Sequence, residues 1–512
     1  MGDVNVASAV ARVPAKRGGR GIREHVSLYN LPLRVIAKTK LSAAAASISF
    51  ADFSGIPAGT RHLAIIFNGA LTVAAGTLLV QFNGDGGANY NHQTLQGAGA
   101  VASAARATGG TSITAFGLPT GANLFGGGMI VIPHYAGTLN HKAVLAVGGA
   151  VENSVTARAG RWANVAAITR VDVLASANNI EAESIAWLCA VDERYLVEEQ
   201  LLAADGTVTF SSIPQLDGDL VAVGFVRTDR AAVSDDIDVT VNADTTDANY
   251  ARQRLSGSNT TTAAAAAADR AFIEGVPGDS ATANAFGAFV ISISQHANGV
   301  KQPHILAVSG YHETSGPTSN VAVASGRRAN IAAYTSLAFN PGAGGTNFKS
   351  GSLISLYHVP KRLVDYDKLT VDAASVTHAV PAGLEALVET VFTRSDRVDP
   401  SDSVLIAYNN DTTAANYDRQ QLYGNGSTVG TDQSTAGRNV SSIPAASAAA
   451  NVFAGGVSIV PAHTETDRHK HALHLFGEPD VQVVLTSIRW ESLAAITEID
   501  LTPNAGTNFE GD

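Results

Sequence analysis

One motif occurs three times in this 512-residue chain, at nearly constant intervals. It reads FNGDGGANYNHQTLQG at 82–97, VNADTTDANYARQRLSG at 241–257 and YNNDTTAANYDRQQLYG at 408–424. The shared frame is Asn-x-Asp, a short gap, and Asn-Tyr-x-x-Gln-x-Leu-x-Gly. A fixed period of this kind restricts the chain to three copies of one structural unit.

Other landmarks recur in the same order inside each copy. An apolar strand ending at Phe67, Phe225 or Phe392 precedes the motif. A segment of the type GRWANVAAIT follows it, at 160–169, 326–335 and 488–497. We expect structural or assembly roles for the three motif tyrosines and three arginines of the later segment, namely Tyr90, Tyr250, Tyr417, Arg161, Arg327 and Arg489.

The composition favours short strands over long helices. Ala, Gly, Thr, Ser and Val are abundant, and only 15% of the residues are charged. Short apolar runs alternate with Gly, Asn, Asp and Pro, as in half-buried sheet. The sequence therefore predicts an all-β fold of three tandem antiparallel β-sandwich domains, jelly-roll-like, in a pseudo-threefold arrangement. We expect one exception, a short helix within the alanine-rich segment 260–273.

The opening peptide VSLYNLPLRVI (26–36) resembles ISLYHVPKRLV (354–364), which closes repeat 2. Repeat 3 reaches AGTNFEGD without such a strand, and an open sheet edge invites aggregation. We therefore expect a strand containing Ser27, Leu28 and Tyr29 to complete repeat 3, in cis or by exchange between molecules. The alternative is that it packs elsewhere. The predicted divisions are an arm (1–23), this strand (24–37) and repeats 1 (38–198), 2 (199–365) and 3 (366–512).

Charge and targeting signals narrow the class of protein. The net charge of −11 argues against nucleic-acid binding by the body of the protein. The only cysteine, Cys189, lies in an apolar strand-like run and predicts an inert core thiol. The opening residues lack the apolar run of a signal peptide, and Asn68-Gly69 and Gly76 divide the apolar stretch 63–80 into strand lengths. We expect a soluble protein made without export, with no membrane partner.

The motif together with a closing F-x-x-G-S-x-x-S-L-Y strand resembles a β-sandwich module of tailed-bacteriophage virion proteins, among them tail-fibre, tail-tip and head-associated components. The residues that carry it are Asn83, Asp85, Asn89 and Tyr90; Asn242, Asp244, Asn249 and Tyr250, with Phe348, Gly351, Ser355, Leu356 and Tyr357; and Asn409, Asp411, Asn416 and Tyr417. It covers nearly the whole chain after residue 24, although repeat 1 departs at its closing strand. The resemblance implies a structural role in the virion and no catalytic residue.

Two groups of side chains are of a type that binds metal. Asp85, Asp244 and Asp411 with their neighbouring asparagines offer oxygen ligands for calcium, but Asn and Asp also cap tight turns. We favour the turn. His469 and His471 are two apart on one face of a predicted strand, but repeats 1 and 2 lack the pair, so a solvated strand is favoured over a metal site. We expect no cofactor.

The remaining expectations concern partners. The arm carries Arg12, Lys16, Arg17, Arg20 and Arg23, which suit docking to a neighbouring virion protein or a solvated flexible tail. Motifs of hydrolases, nucleotide-binding enzymes and zinc proteases are absent, so we expect no enzyme. The predicted function is that of a virion structural protein, a head or tail adaptor, decoration or fibre-like protein whose three fused repeats mimic a trimer. It is made in the host bacterial cytoplasm, and its expected partners are other virion proteins or further copies of itself. The alternative is a receptor- or glycan-binding module of a phage tail, with segments 97–124, 257–284 and 424–451 as contact loops.

Overall fold

A computed structural model of the chain shows an all-β protein built from antiparallel sheets. The residues that the structure describes are 9–11, 24–26, 30–73, 76–121, 123–297, 299–313, 319–360, 363–366, 369, 371–380 and 386–510. Within them, helical structure amounts to three single turns of 3-10 helix, at Glu193–Tyr195, Asp247–Asn249 and Ala414–Asn416. No helix in these ranges has the length and apolar character needed to cross a membrane.

The first fourteen strands belong to the N-terminal region and repeat 1. They are β1 Ala9–Ala11, β2 Glu24–Val26, β3 Pro32–Lys40, β4 Ser47–Phe50, β5 Leu63–Gly69, β6 Thr77–Phe82, β7 Tyr90–Ala98, β8 Val101–Gly110, β9 Ile113–Gly117, β10 Gly126–Ile132, β11 Lys142–Ala150, β12 Ser154–Trp162, β13 Val171–Ala175 and β14 Ile185–Val191.

Repeat 2 contributes twelve strands. They are β15 Leu196–Leu201, β16 Val208–Phe210, β17 Gly218–Val226, β18 Ser234–Val241, β19 Tyr250–Ser258, β20 Thr261–Ala267, β21 Ile273–Pro277, β22 Gly287–Ser294, β23 His304–Tyr311, β24 Asn320–Arg328, β25 Leu337–Pro341 and β26 Leu353–Pro360.

Repeat 3 contributes the last eleven. They are β27 Leu363–Tyr366, β28 Val376–Ala379, β29 Ala386–Thr393, β30 Ser401–Tyr408, β31 Tyr417–Asn425, β32 Thr428–Ser434, β33 Asn439–Pro444, β34 Ala454–Pro461, β35 Lys470–Glu478, β36 Gln482–Trp490 and β37 Glu498–Pro503.

Each repeat has one large sheet and one four-stranded sheet. The large sheets run β2-β3-β14-β5-β10-β11-β12-β7-β8, β15-β26-β17-β22-β23-β24-β19-β20 and β29-β34-β35-β36-β31-β32. The small sheets run β4-β13-β6-β9, β16-β25-β18-β21 and β28-β37-β30-β33. Equivalent strands therefore occupy equivalent places in all three repeats, with one gap. Within the described residues, repeat 3 has no strand of its own in the place that β14 and β26 take, which lies beside β27 and β29.

The large sheets are buried on both faces. In β5, Leu63 and Ile65 pack in the core between the two sheets of repeat 1, whereas Ala64 and Ile66 pack in a second core. This second core also contains residues of repeats 2 and 3, such as Val223 and Leu475, so it is shared by the whole chain. Burial on both faces explains the uninterrupted apolar runs, which are unusual for antiparallel sheets. Cys189 is buried in the same core, where a core thiol was predicted.

The prediction that residues 24–37 complete repeat 3 is wrong. β3 pairs with β14 of repeat 1 from Leu33↔Val191 to Lys40↔Ile185, and β2 adds to β3 as a hairpin. The physical reason is that Pro32–Lys40 is the opening strand of repeat 1, equivalent to β15 and β27. The closing strand of repeat 1 therefore already holds it. Ser27, Leu28 and Tyr29 lie outside the described residues.

A different N-terminal segment lies at the open edge of repeat 3. Ala9–Ala11 (β1) pairs antiparallel with Leu363–Tyr366 and lies beside Ala386–Thr393. This is the place that β14 and β26 take in the other repeats, between the opening strand and the strand equivalent to β5. The arm predicted over 1–23 thus includes a strand. Its residues Arg12, Lys16, Arg17, Arg20 and Arg23 are outside the part of the chain that the structure describes.

Three local predictions also fail. The alanine-rich segment forms strand β20, which pairs with β19 from Arg252↔Ala267 to Ser258↔Thr261, because the hairpin supplies its backbone partners. The proposed contact loops 97–124, 257–284 and 424–451 each contain two strands for the same reason. The sequence aligns Phe67 with Phe225 and Phe392, but the structure places Asn68 at that position. Asn68 pairs with Gly127, Phe225 with Ala288 and Phe392 with Gly455, and these three partners occupy the same place in their repeats.

Candidate functional site

The asparagine of each Asn-x-Asp turn holds a loop that lies 84 to 91 residues further along the chain in the same repeat. Asn83 has a left-handed backbone (φ 53°), which asparagine tolerates. Its side chain accepts from the Thr169 backbone N–H at 2.8 Å and donates to the Ala167 carbonyl at 2.8 Å. Asn242 and Asn409 make the same pairs of bonds with the equivalent loops. We name 163–169, 329–335 and 491–497 the Ala-Ala loops, because each contains two consecutive alanines.

The aspartates of the motif accept hydrogen bonds within their own repeats. Asp85 Oδ2 accepts from the Trp162 indole at 2.7 Å and from Asn89 at 2.9 Å. Asp411 is bonded in the same way to Trp490 and Asn416. The bond from Trp162 is the largest factor that lowers the pKa of Asp85. These are the contacts of a turn-capping carboxylate.

Repeat 2 uses a different donor at this place. Asp244 Oδ2 accepts from Arg328 Nε at 2.8 Å, where the other repeats have tryptophan. Across the described ranges, no group of three or more His, Cys, Asp or Glu side chains is placed to hold a metal ion.

The motif tyrosines hold the turn through hydrogen bonds between their buried hydroxyls and the backbone. The hydroxyls of Tyr90, Tyr250 and Tyr417 accept from the backbone N–H of Phe82, Val241 and Tyr408 at 2.9, 3.0 and 2.9 Å. The three side chains are buried, and burial raises the pKa of each above its usual range.

Each Ala-Ala loop is fixed at its start as well as its end. The Ala166 and Ala332 backbone N–H groups donate to Asn164 and Asn330 Oδ1 at 2.9 and 2.7 Å, and Ala494 donates to Ser492 Oγ at 3.2 Å. The three loops therefore share one conformation. Yet their first aliphatic residues, Val165, Ile331 and Leu493, are 38%, 40% and 43% exposed.

The Gln-x-Leu-x-Gly part of the motif lies at the boundaries between repeats. Gln93 Nε2 donates to the Asn259 carbonyl of repeat 2 at 2.9 Å. Gln253 accepts from the Gly426 N–H of repeat 3 at 3.1 Å, and Gln420 donates to the Gly99 carbonyl of repeat 1 at 3.1 Å. The contacts run from repeat 1 to 2, from 2 to 3, and from 3 back to 1.

A backbone hydrogen bond repeats the same cycle. His141 N–H donates to the Asn284 carbonyl at 3.0 Å, Gln302 N–H to Asn451 at 3.4 Å, and His469 N–H to Asn123 at 3.0 Å. All three acceptor asparagines have left-handed backbones, with φ between 61° and 65°. The bond from His469 to Asn123 joins repeat 3 directly to repeat 1.

The three arginines predicted to have assembly roles face acidic residues of the next repeat. Arg327 pairs with Asp480 at 3.1 Å, and Arg489 pairs with Glu152. Burial is the main factor that lowers the pKa of Arg161, and the charge of Glu313 in repeat 2 opposes that shift. Glu152, Glu313 and Asp480 are equivalent positions, so an arginine and an acidic residue occupy the same two positions at each boundary, and they form an ion pair at two of the three.

The histidine prediction fails at His471. This residue is fully buried, its Nε2 lies 2.9 Å from Ser487 Oγ, and burial lowers its pKa to about 3. His304 makes the same contact with Ser325. A solvated strand was predicted because the sequence alone does not reveal that the large sheet is covered on both faces. His469 is only half-buried.

Sequence reasoning missed a set of boundary residues just before β11, β23 and β35. The Arg468 guanidinium lies 4.2 Å from the centre of the Phe125 ring and donates to Asn68 at 3.1 Å. Lys301, at the equivalent position, lies 4.0 Å from the centre of the Phe453 ring. Alignment of the repeats shows both positions, but no local signal marks them as contacts between repeats.

Comparison with known proteins adds no family. No protein-family model and no curated protein matches the chain. Solved structures with a weak likeness include domains LG4-5 of the mouse laminin alpha1 chain, at 8% identity and TM-score 0.13, covering 70% of this chain and 96% of that one. OccK7 of Pseudomonas aeruginosa has 8% identity and TM-score 0.10, covering 84% and 100%. The translocator domain of NalP from Neisseria meningitidis has 8% identity and TM-score 0.11, covering 87% and 90%. Scores this low carry no structural argument.

Proposed function

We propose that the protein is a structural component of a bacteriophage virion that acts by protein–protein assembly. Its three repeats are β-sandwich domains of jelly-roll type around a pseudo-threefold axis, so that one chain takes the place of a trimer. It performs no catalysis, is made in the host cytoplasm and functions in the virion with other virion proteins. The phage assignment follows from the resemblance of the repeated motif, and the geometry supports the trimer-like arrangement.

The observation that carries the proposal is the return contact from repeat 3 to repeat 1. The His469–Asn123 backbone bond has the same donor and acceptor positions as the bonds at the other two boundaries. A linear array would leave its two end surfaces without these contacts. A cycle that closes after three units is the geometry of a threefold oligomer.

The alternative, a receptor- or glycan-binding module, has less support. The segments expected to present its contact surface form hairpins whose tips, at Gly99, Asn259 and Gly426, bond to neighbouring repeats. Their two aromatic residues, Phe116 and Phe272, are buried and offer no stacking platform for a sugar.

Purified virions test the proposal. Mass spectrometry of particles from a phage that encodes this chain should detect it in stoichiometric amounts. Immunogold labelling should place it on the head or the tail. Its absence from purified particles, with the protein present in the infected cell, would contradict the proposal. As a control, a host protein of similar abundance should be removed by the same purification.

A further inference from the structure

The three boundaries between repeats differ in how their arginine is paired. Arg327 donates to the Asp480 carboxylate through Nε and Nη2, at 3.3 and 3.1 Å. Arg489 pairs with Glu152 of repeat 1 and with two acidic residues of its own repeat. By contrast, the Nε and Nη1 groups of Arg161 have no hydrogen-bond partner among the described residues. The boundary between repeats 1 and 2 is therefore the exception.

Arg161 carries its charge away from bulk water. The residue is only 2% exposed. The equivalent acidic residue of repeat 2, Glu313, accepts instead from the Thr282 backbone N–H and hydroxyl, at 2.6 and 2.9 Å. A buried charge without a counter-charge opposes folding, and a guanidinium does not avoid this cost by losing its proton. Arg161 thus lacks both an acceptor and a negative charge.

A second unpaired donor belongs to the same boundary. His312 is buried, and its Nε2 accepts from Arg106 Nε at 3.4 Å. Burial is the main factor that lowers the pKa of His312 to about 3, and the charge of Arg161 is the next, so the ring is neutral and feels Arg161. A neutral ring that accepts at Nε2 carries its proton on Nδ1. This Nδ1 also has no hydrogen-bond partner within the described ranges.

The side chains beside Arg161 fill less volume than those at the other two boundaries. In the sheet, Ala143 is the direct neighbour of Arg161. The other repeats have His304 and His471 at this position, each within hydrogen-bond distance of a serine. Across the boundary, Ala288 adds one methyl group where the other repeats have glycine, which offsets only part of a missing imidazole ring.

We propose that the boundary between repeats 1 and 2 binds a small inorganic oxyanion, of the phosphate or sulfate type, through Arg161 and His312. The oxygens of such an ion accept from the unpaired N–H groups, and its charge balances the buried guanidinium. Arg106, which donates to the Glu313 carbonyl and to His312, adds a second positive charge. The bound ion joins repeat 1 to repeat 2, as the Arg327–Asp480 ion pair joins repeat 2 to repeat 3.

Thermal melting of the purified full-length chain tests the site. The protein is first dialysed free of phosphate and sulfate, and each salt is then added at equal ionic strength and pH. We expect phosphate and sulfate to raise the melting temperature by about 1–3 °C more than chloride does, because an ion that binds only the folded chain stabilises it. Equal effects of all three salts would overturn the inference.

Equilibrium dialysis with radiolabelled phosphate counts the sites. One phosphate per wild-type chain is expected, since one boundary of the three has an unpaired arginine. Three phosphates per chain, or none, would overturn the inference. The count is made on the purified protein, so it is independent of whether the chain is found in virions.

Two matched variants locate the ion. Arg161→Met removes the charge and its donors, so this variant should no longer respond to phosphate. Without phosphate it should melt at the wild-type temperature or above, because an unpaired buried charge has been removed. Arg327→Met breaks the ion pair with Asp480 and should melt lower, yet it should keep the full phosphate response.

A phosphate response that persists in Arg161→Met would place the ion elsewhere and overturn the inference. A lower melting temperature of Arg161→Met in the absence of phosphate would also overturn it, since the guanidinium would then be paired within the protein. If Arg161→Met does not fold, the phosphate count on the wild-type chain still decides.

Discussion

Single residues of the repeated motif meet across the boundaries between repeats. Leu95 lies against Gly257, Leu255 against Gly424, and Leu422 against Gly97. A methyl group added at Gly424 would lie 2.9 Å from the Arg254 carbonyl oxygen and 3.0 Å from Leu255 Cβ. These glycines therefore permit close approach of two strands, which is why the motif retains them in all three repeats.

Gly424→Ala should destabilise the protein through this boundary. Neither neighbour can move without shifting a strand, so we expect a loss of about 1–3 kcal/mol in the free energy of unfolding, as for other overpacked sites. Urea denaturation measures the change. Gly86→Ala is the matched control, because nothing lies within 4 Å of a methyl group there. Equal stability of the two variants would contradict the close contact.

His471 is one of several buried histidines that make stability depend on pH. Burial lowers the pKa of His471 to about 3, against an ordinary value of about 6.5 in the unfolded chain. Between pH 6.5 and pH 3, the unfolded chain therefore binds a proton at His471 that the folded chain excludes. Its contribution is complete above pH 6.5 and declines on acidification at about 1.4 kcal/mol per pH unit. His471→Gln should therefore lose less stability than the wild type between pH 7 and pH 5, by about 2 kcal/mol. Chemical denaturation at the two pH values measures this.

His469→Gln is the control for this experiment. The residue lies two positions away in sequence but is half-buried, so its pKa is lowered less by burial. Its substitution should change the pH dependence less than that of His471. The reverse order would show that His471 does not have the lowered pKa that its burial predicts.

Turn chemistry at the residue scale is readable from the sequence, whereas boundary contacts are not. The Asn-x-Asp spacing predicts capping side chains, and Asn83 and Asp85 act in this way, because such bonds form within a few residues or to an adjacent strand. The burial of His471 depends on a sheet of another repeat, which no local pattern specifies. Repeat alignment identified Arg161, Arg327 and Arg489 as equivalent, but not the acidic residues that face them.

Individual strands follow the apolar pattern where it is strong and the tertiary context where it is weak. The stretch 63–80 was predicted to divide into two strands, and it does so as β5 and β6. The alanine run of β20 was predicted to be helical on propensity alone. There, pairing with β19 supplies the backbone hydrogen bonds, and tertiary context outweighs an intrinsic preference of a few tenths of a kcal/mol per residue.

Strand β1 covers the open edge of repeat 3. Deleting residues 1–11 removes β1, which pairs with Leu363–Tyr366 and lies beside Ala386–Thr393. The amides of these two strands should then exchange with solvent about tenfold faster or more, because local opening of an uncovered strand costs less free energy. Hydrogen exchange with mass spectrometry resolves the affected peptides.

A shorter deletion provides the control. Removing residues 1–7 leaves β1 intact and should preserve the exchange rates of β27 and β29. Peptides from β14 and β26, which are closed by their own repeats, should be unchanged in both deletions. Unchanged exchange in β29 after the longer deletion would show that β1 does not cover the edge.

At the scale of the whole molecule, the three large sheets share one core. Val223 of repeat 2 and Leu475 of repeat 3 belong to the same buried cluster as Ile66 of repeat 1. The repeat period predicted three similar units, but the shared core depends on how their sheets face each other. Strands that are apolar on both faces are the one sequence signal of this shared core, since one of the two faces must pack against another repeat.

Cutting the chain between repeats 2 and 3 should leave the molecule intact. A protease site inserted between positions 361 and 362, after β26 and before β27, allows cleavage after folding. The cut repeat 3 retains its boundary with repeat 2, through Arg327–Asp480 and Lys301, and its boundary with repeat 1, through Arg468 and the His469–Asn123 bond. Because these two boundaries and the shared apolar core hold it, the two fragments should co-elute on gel filtration at the mass of the uncut protein. They should separate only in denaturant, in one cooperative transition. Release of repeat 3 under native conditions would mean that the chain is a string of independent domains rather than a closed cycle.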